Sequence, residues 1–305
     1  MRFSVWPGAA QPWSGLLDLA RQADQGFWHC VYVADHFMAN TFLPNTDRPE
    51  DGILEGTGVL AALAGATTRV RLANLVLSIT YRHPAVLANW AATIDHVSDG
   101  RLTLGLGTGW QGNEHRQYGL ALGRPRERVD RFAEALTVIS GLLTEPETTF
   151  RGHYYRLSDA HCDPKPVQSP LPLLIAGSGR RMLRLIARHA HEWNHWSVPG
   201  RFHETADRLD SACEKVGRDP SSIWRSTQAL TFVTQSPTEE ARAALAAERM
   251  PLPVIYGPPT RIAEAVATWR DEGVDEVIFA DRAMRAPNRR RDVYNALAEA
   301  LAPLA

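Results

Sequence analysis

The sequence predicts an α/β protein built as a single (β/α)₈ TIM barrel with an insertion after strand four. Three observations lead there. Short apolar runs rich in β-branched residues alternate with amphipathic helical stretches along the 305-residue chain, the rhythm of a parallel sheet with helical crossovers. That length exceeds the roughly 250 residues of a typical barrel of this kind, which leaves room for added segments. No internal repeat or low-complexity stretch interrupts the alternation.

Taken in order, Arg2 to Trp6 reads as the first strand, with a helix around Gly15 to Gln25. His29 to Ala34 is the second strand, Asp35 to Glu55 a long polar loop, and Glu55 to Thr67 its helix. Val70 to Ile79 is the third. Pro84 suits the first position of the next helix, which runs to about Ser98 before an Asp99-Gly100 turn. Arg101 to Leu106 is the fourth strand, followed by a helix from about Glu127 to Leu143. Thr149 to Ser158 looks like a hairpin arm and Pro164 to Pro172 a proline-rich connector, so residues 146–172 read as an insertion within one domain spanning 1–305. Leu173 to Ala176, Glu192 to Trp196, Ser226 to Val233 and Glu276 to Ala280 supply strands five to eight, and a last helix runs from about Arg290 to Leu301.

Composition excludes several classes. At 44% apolar and 22% charged, with a net charge of −1, the chain has no global field for nucleic acid or an anionic membrane. The basic run Arg285 to Arg291 lacks interleaved aromatics and reads as a solvated loop. Cys30, Cys162 and Cys213 form no paired motif, so neither a disulfide framework nor a zinc ribbon is expected. No signal-peptide pattern or bilayer-length apolar stretch is found, and a cytoplasmic protein is the expectation.

In a barrel of this type the active site lies at the C-terminal ends of the strands. The residues there include Trp6, Asp35-His36, Ser78 to His83, Gly107 to Glu114, Gly177 to Arg181 and Trp193 to Trp196. Together they are polar, aromatic and glycine-rich, a suitable surround for a large planar cofactor. His36 is placed either to protonate a ligand or simply to cap its loop. Gly107 to Gly112 fits the G-x-G-x-x-G dinucleotide pattern, but an acid twenty residues on would fall inside a helix, against a Rossmann unit. Gly177-Ser178-Gly179 precedes a helix whose N-terminal N–H groups suit a phosphate, with Arg180 and Arg181 adding charge; a plain turn is the alternative. His189, His191 and His195 lack an acidic second shell, and no metal is expected.

Several stretches carry a resemblance to a known family. They are Val33 to Phe37, Thr80 to Gly119, Pro164 to Asn194, Val216 to Ile223 and Gly273 to Asp281. In order along nearly the whole chain, they resemble the luciferase-like monooxygenase superfamily, and within it the F420-dependent oxidoreductases. The resemblance implies a cofactor at the barrel mouth, a homodimer, and a non-prolyl cis peptide near Leu75-Val76 that bows the cofactor ring. By the same resemblance Asp35, Asn74, Val76, Ser78, Thr108, Gly109 and Asn113 would contact the ring or its side chain. Gly177, Ser178 and Gly179 would hold the phosphate, with Arg180 or Arg181 near the anionic tail, and His36 would face the reactive centre. Trp110 stands where sugar-phosphate dehydrogenases of the family have a glutamate, which argues against such a substrate and for an aromatic wall.

The expectation is therefore hydride transfer between C5 of coenzyme F420 and a small organic substrate beneath Trp6, Trp110 and Trp196. His36 is the proton donor and Glu114 its helper. The alternative is a monooxygenase using reduced FMN and oxygen on the same barrel. A binding protein without catalysis and a nicotinamide-dependent dehydrogenase are further readings.

Overall fold

The computed structural model describes residues 1–39, 52–281 and 287–305. Most of the polar loop expected over 35–55, and the start of the basic run at 285–291, lie outside the described residues. In chain order the strands are β1 (Arg2–Pro7), β2 (Cys30–Val33), β3 (Arg71–Asn74), β4 (Leu77–Ser78), β5 (Leu102–Gly107), β6 (Thr148–Arg151), β7 (Arg156–Ala160), β8 (Leu173–Ala176), β9 (Glu192–Trp196), β10 (Trp224–Val233), β11 (Val254–Gly257) and β12 (Glu276–Asp281). The helices are α1 (Trp13–Gln25), α2 (Gly56–Ala66), α3 (Pro84–Val97), α4 (Gly112–Tyr118), α5 (Pro125–Thr144), α6 (Arg180–His189), α7 (His203–Glu214), α8 (Pro237–Ala247), α9 (Pro259–Asp271) and α10 (Pro287–Leu301).

The parallel ring β1-β2-β3-β5-β8-β9-β10-β12 closes through β12 pairing with β1, giving the eight-stranded barrel that the alternation predicts. Two details depart from a plain ring. The third strand is broken at the Leu75–Val76 peptide bond, which is cis, where the resemblance put it, and β4 then pairs separately with β5. β10 is long enough to pair with β9 at its start and with β11 at its end, and β11 has no counterpart in the sequence reading. β6 and β7 form an antiparallel hairpin apart from the barrel.

Why these residues build a barrel follows from where they are buried. One core lies between strands and helices: α5 turns Phe132, Leu136, Ile139 and Leu142 onto it, and α2 adds Leu60 and Leu63. Each such side chain contributes about 1.5–3 kcal/mol by leaving water. A second, smaller core fills the barrel itself with Cys30, Tyr32, Ala73, Leu75, Leu174 and Ile278, against which Trp6 and Val76 pack. The strands are thus buried on both faces, which is why they read as near-continuous apolar runs.

Helix ends are pinned by side chains that also fix the mouth. Glu55 accepts the backbone N–H groups of Thr57 and Gly58 at the start of α2. His83 accepts the Ala85 N–H at the start of α3, with Pro84 at its first position as the sequence predicts. No described helix is long and apolar enough to cross a membrane.

Candidate active site

At the C-terminal ends of the strands lies a cavity of about 450 Å³, within the range of small-molecule and cofactor sites. Its wall includes Trp6, Asp35, His36, Val76, Ser78, Thr108, Gly109, Trp110, Gly177 and Trp196, all singled out from sequence. Met38, Leu75, Tyr81 and Gln228 complete much of the rest. Trp6 and Trp196 meet with ring centroids 5.8 Å apart, and the exposed Trp110 stands edge-on to His36 at 5.6 Å.

Glu114 gathers the loop after β2. Its fully buried carboxylate accepts the Phe37 N–H at 2.9 Å, the Met38 N–H at 3.2 Å and the Gln111 side-chain amide at 2.9 Å. The Tyr81 hydroxyl donates to it as well, and His36 Nδ1 approaches its two oxygens at 3.3 and 3.4 Å. Burial opposes ionisation of this carboxyl, but the hydrogen bonds from His36, Tyr81 and Phe37 outweigh it and hold its pKa below the ordinary glutamate value. Burial, and then the bond to this carboxylate, push the Tyr81 phenol well above its ordinary range. Glu114 does not line the cavity; it is a positioning residue for His36. With Nδ1 directed at a carboxylate, the ring nitrogen left for the cavity is Nε2.

Asp35 is committed in a similar way. Arg82 grips its buried carboxylate with two hydrogen bonds of 2.9 Å each, and the Ser78 N–H donates at 2.8 Å. Burial raises the Asp35 carboxyl, and the Arg82 fork and Ser78 N–H oppose that rise. Arg82 reaches on to Glu55, so the ends of β2 and β4 and the start of α2 share one guanidinium. Asp35 therefore braces the mouth, and its carboxylate has few lone pairs left for a ring edge.

Under Gly109, Ser78 and Thr80 hydroxyls meet at 2.6 Å and Thr80 reaches His115 Nε2 at 2.7 Å. His115 Nδ1 lies 2.8 Å from the Gln111 carbonyl, so Nδ1 donates and Nε2 accepts from Thr80. Gly109 has φ +76°, and a Cβ there would fall 2.4 Å from Ser78 Oγ. Only glycine fits.

Six expected contacts lie away from the cavity wall, among them Ser178 and Gly179, which follow the wall residue Gly177. Asn74 is buried and donates towards the Val33 carbonyl at 3.4 Å, and Asn113 donates to the Ala39 carbonyl at 3.2 Å. Arg181 pairs with Asp130 on the outer surface, and neither it nor Arg180 lines the cavity. The cation at the Gly177–Gly179 turn is instead Arg208 on α7, which donates to the Ser178 carbonyl at 2.8 Å. α6 begins at Arg180, and Gly179 before it offers no side-chain cap, leaving the first N–H groups of the helix without intrahelical partners. Trp193 donates to the Gly177 carbonyl at 2.8 Å, which fixes the turn from beneath.

Sequence reasoning gave no role to Tyr81, Arg82, Gln111, Arg208 or Gln228. The first two sit in the polar cluster after the third strand, a visible signal; Arg208 and Gln228 carry none beyond their parity on helix and strand. Among the described residues no three histidine, cysteine or acidic side chains gather as a metal site.

The sequence profile of the luciferase-like monooxygenase family matches residues 1–302. The chain belongs to that family. It is similar to the pyrimidine monooxygenase RutA of Cronobacter sakazakii, 33% identical over 201 residues, 64% of this chain and 57% of that protein. It thus spans little more than half the length of the curated relatives it matches. Among solved structures it superposes on an F420-dependent secondary alcohol dehydrogenase in complex with an F420-acetone adduct, with a TM-score of 0.85 and 18% identity over 99% of both chains. It superposes on the monooxygenase RslO1 from Streptomyces bottropensis with a TM-score of 0.79 and 21% identity, over 100% of this chain and 99% of that one. Both likenesses establish the fold. The closed barrel also replaces the nicotinamide-binding Rossmann reading of Gly107 to Gly112: Gly107 ends a barrel strand and Gly112 opens the short α4.

Proposed function

We propose that this luciferase-like enzyme is a monooxygenase that uses reduced FMN and dioxygen to oxidise a small planar organic compound. The observation that carries this reading is its 33% identity to enzymes whose established name is pyrimidine monooxygenase. The pairing of Arg181 supports FMN over F420: its guanidinium is engaged by Asp130 on the outer surface, so part of the charge expected to meet a polyanionic tail is already neutralised.

The residues present fit such a group. The open backbone of Gly107 to Gly109 forms one wall, and the uncapped start of α6 lies beside Gly177 with Arg208 at hand. Gly177, Ser178, Gly179 and the first N–H groups of α6 would hold the phosphate. Val76, Ser78, Thr108 and Gly109 would lie along the ring. When bound, reduced FMN supplies the electrons that activate dioxygen, one oxygen atom entering the substrate and the other leaving as water.

The chain's own part is orientation and proton handling. Glu114 and Tyr81 hold His36 so that its Nε2 can give a proton to, or take one from, a group in the cavity. Trp6, Trp110 and Trp196 form the aromatic surface for a flat ring and keep bulk water from it. A parallel titration with FMN and F420, followed by oxygen uptake with a flavin reductase, tests the reading. Tight FMN binding and substrate-dependent oxygen consumption are expected; preference for F420 without oxygen uptake would establish hydride transfer instead.

A further inference from the structure

The floor of the cavity holds two polar groups that the protein leaves unsatisfied. Gln228 is 2% exposed, lines the cavity, and its carboxamide oxygen has no hydrogen-bond partner among the described residues. Trp6 Nε1 is likewise buried without a partner on the same wall. Trp196 links the two: Gln228 is its register partner on the adjacent strand, and its ring centroid lies 5.8 Å from that of Trp6. Buried polar groups without partners are rare, and each costs stability unless a ligand completes it.

Their chemistry is complementary to one kind of edge. An indole N–H can only donate, whereas a carboxamide presents a donor and an acceptor side by side. A ligand that satisfies both unpartnered atoms needs an acceptor for the indole N–H and a donor for the amide oxygen, and the C=O and N–H of an imide or lactam edge supply one of each. With tryptophan faces beside them, the ring bearing that edge is flat.

We infer that Trp6 and Gln228 are specificity-determining residues that read the N–H/C=O edge of a cyclic imide or lactam substrate. The inference rests on the proposed function only in taking this cavity as the substrate site. The pyrimidine half of a flavin carries the same edge, so the two sources are separated by measuring each ligand alone.

Equilibrium titration of the FMN-loaded chain, followed by tryptophan fluorescence, tests it with uracil and with 3-methyluracil, in which the imide N–H is replaced. The wild type should bind uracil about tenfold more tightly than the methylated probe, since a buried acceptor left unpaired costs a factor of that order. Gln228→Leu, close in size, should bring the two affinities together while FMN affinity stays unchanged. Trp6→Phe, which keeps the ring and removes the donor, should weaken uracil binding by a similar factor. Equal binding of both probes by the wild type overturns the inference, and so does discrimination that survives Gln228→Leu. Weaker FMN binding in Gln228→Leu with uracil unaffected overturns it too, by assigning the pair to the flavin edge. Because that comparison needs no turnover, uracil discrimination without oxygen uptake would sustain the recognition and refute only the monooxygenase reading.

Discussion

His36 Nδ1 lies 3.3 Å from Glu114 Oε1 although the two residues come from different strand-to-helix connections of the barrel. The carboxylate turns the ring so that one nitrogen is committed and the other remains for the cavity. If His36 moves the proton in turnover, His36→Ala lowers kcat by about 10²–10⁴-fold. FMN affinity, measured by fluorescence quenching, should be retained; turnover within twofold of wild type would remove the histidine from the mechanism.

Glu114 should also leave a mark on stability. Its folded pKa is depressed, so the charged form contributes stability that is present above the ordinary glutamate value and lost as pH falls through the depressed one. Glu114→Gln is therefore expected to melt below the wild type at pH 7. The gap should narrow in melts at successively lower pH; a constant gap across the series contradicts this account.

Glu192 has the opposite sign. It is partly buried at the start of β9 near Glu276, and desolvation first, then that neighbouring charge, push its pKa up to about 7. A carboxyl whose folded value is raised loses stability as pH climbs from its unfolded value to about 7 and no more beyond. Glu192→Gln keeps the acceptor for Thr103 and removes the charge. Its melting temperature should exceed the wild type's at pH 8, with the advantage shrinking towards pH 5.

Breaking the Asp35–Arg82 pair leaves a buried charge alone. Arg82→Met should cost about 3–5 kcal/mol in denaturant unfolding. Adding Asp35→Asn to that variant should recover part of the loss; no recovery would mean that Arg82 acts through Glu55 instead.

At Gly109, a methyl group meets Ser78 and Thr80 in a backbone region that side chains avoid. Gly109→Ala should destabilise by about 1–3 kcal/mol and weaken FMN binding. An unaltered unfolding curve would show that the loop adjusts without cost.

The barrel was legible because each strand is buried on both faces and so reads as an apolar run, from Val70 through Ile79 or across Leu173 to Ala176. β11 escaped because Val254–Gly257 is short, flanked by prolines and paired only to the far end of β10. At the mouth, Asp35, His36 and the glycine turns stood out by residue type. The partnerships did not: that Arg82 would take Asp35, that Arg181 would turn outwards to Asp130, and that Arg208 would reach Ser178 are results of tertiary packing between segments 30 to 51 residues apart. Gln228 was invisible for a related reason. A glutamine in a strand looks ordinary until its neighbours fail to bond it.

β5 carries glycine at alternate positions, and those two residues face the break in the third strand. A Cβ on Gly105 would sit 1.8 Å from the Asn74 carbonyl oxygen, and one on Gly107 would sit 2.5 Å from Val76 Cγ2. The shape of the cavity wall at Val76 is thus recorded on a neighbouring strand, as an imprint of missing atoms. A substitution at Gly105, which is no part of the wall, would be felt as a shift of the surface that meets the ligand, so the ligand preference of this barrel can be retuned from behind its own lining.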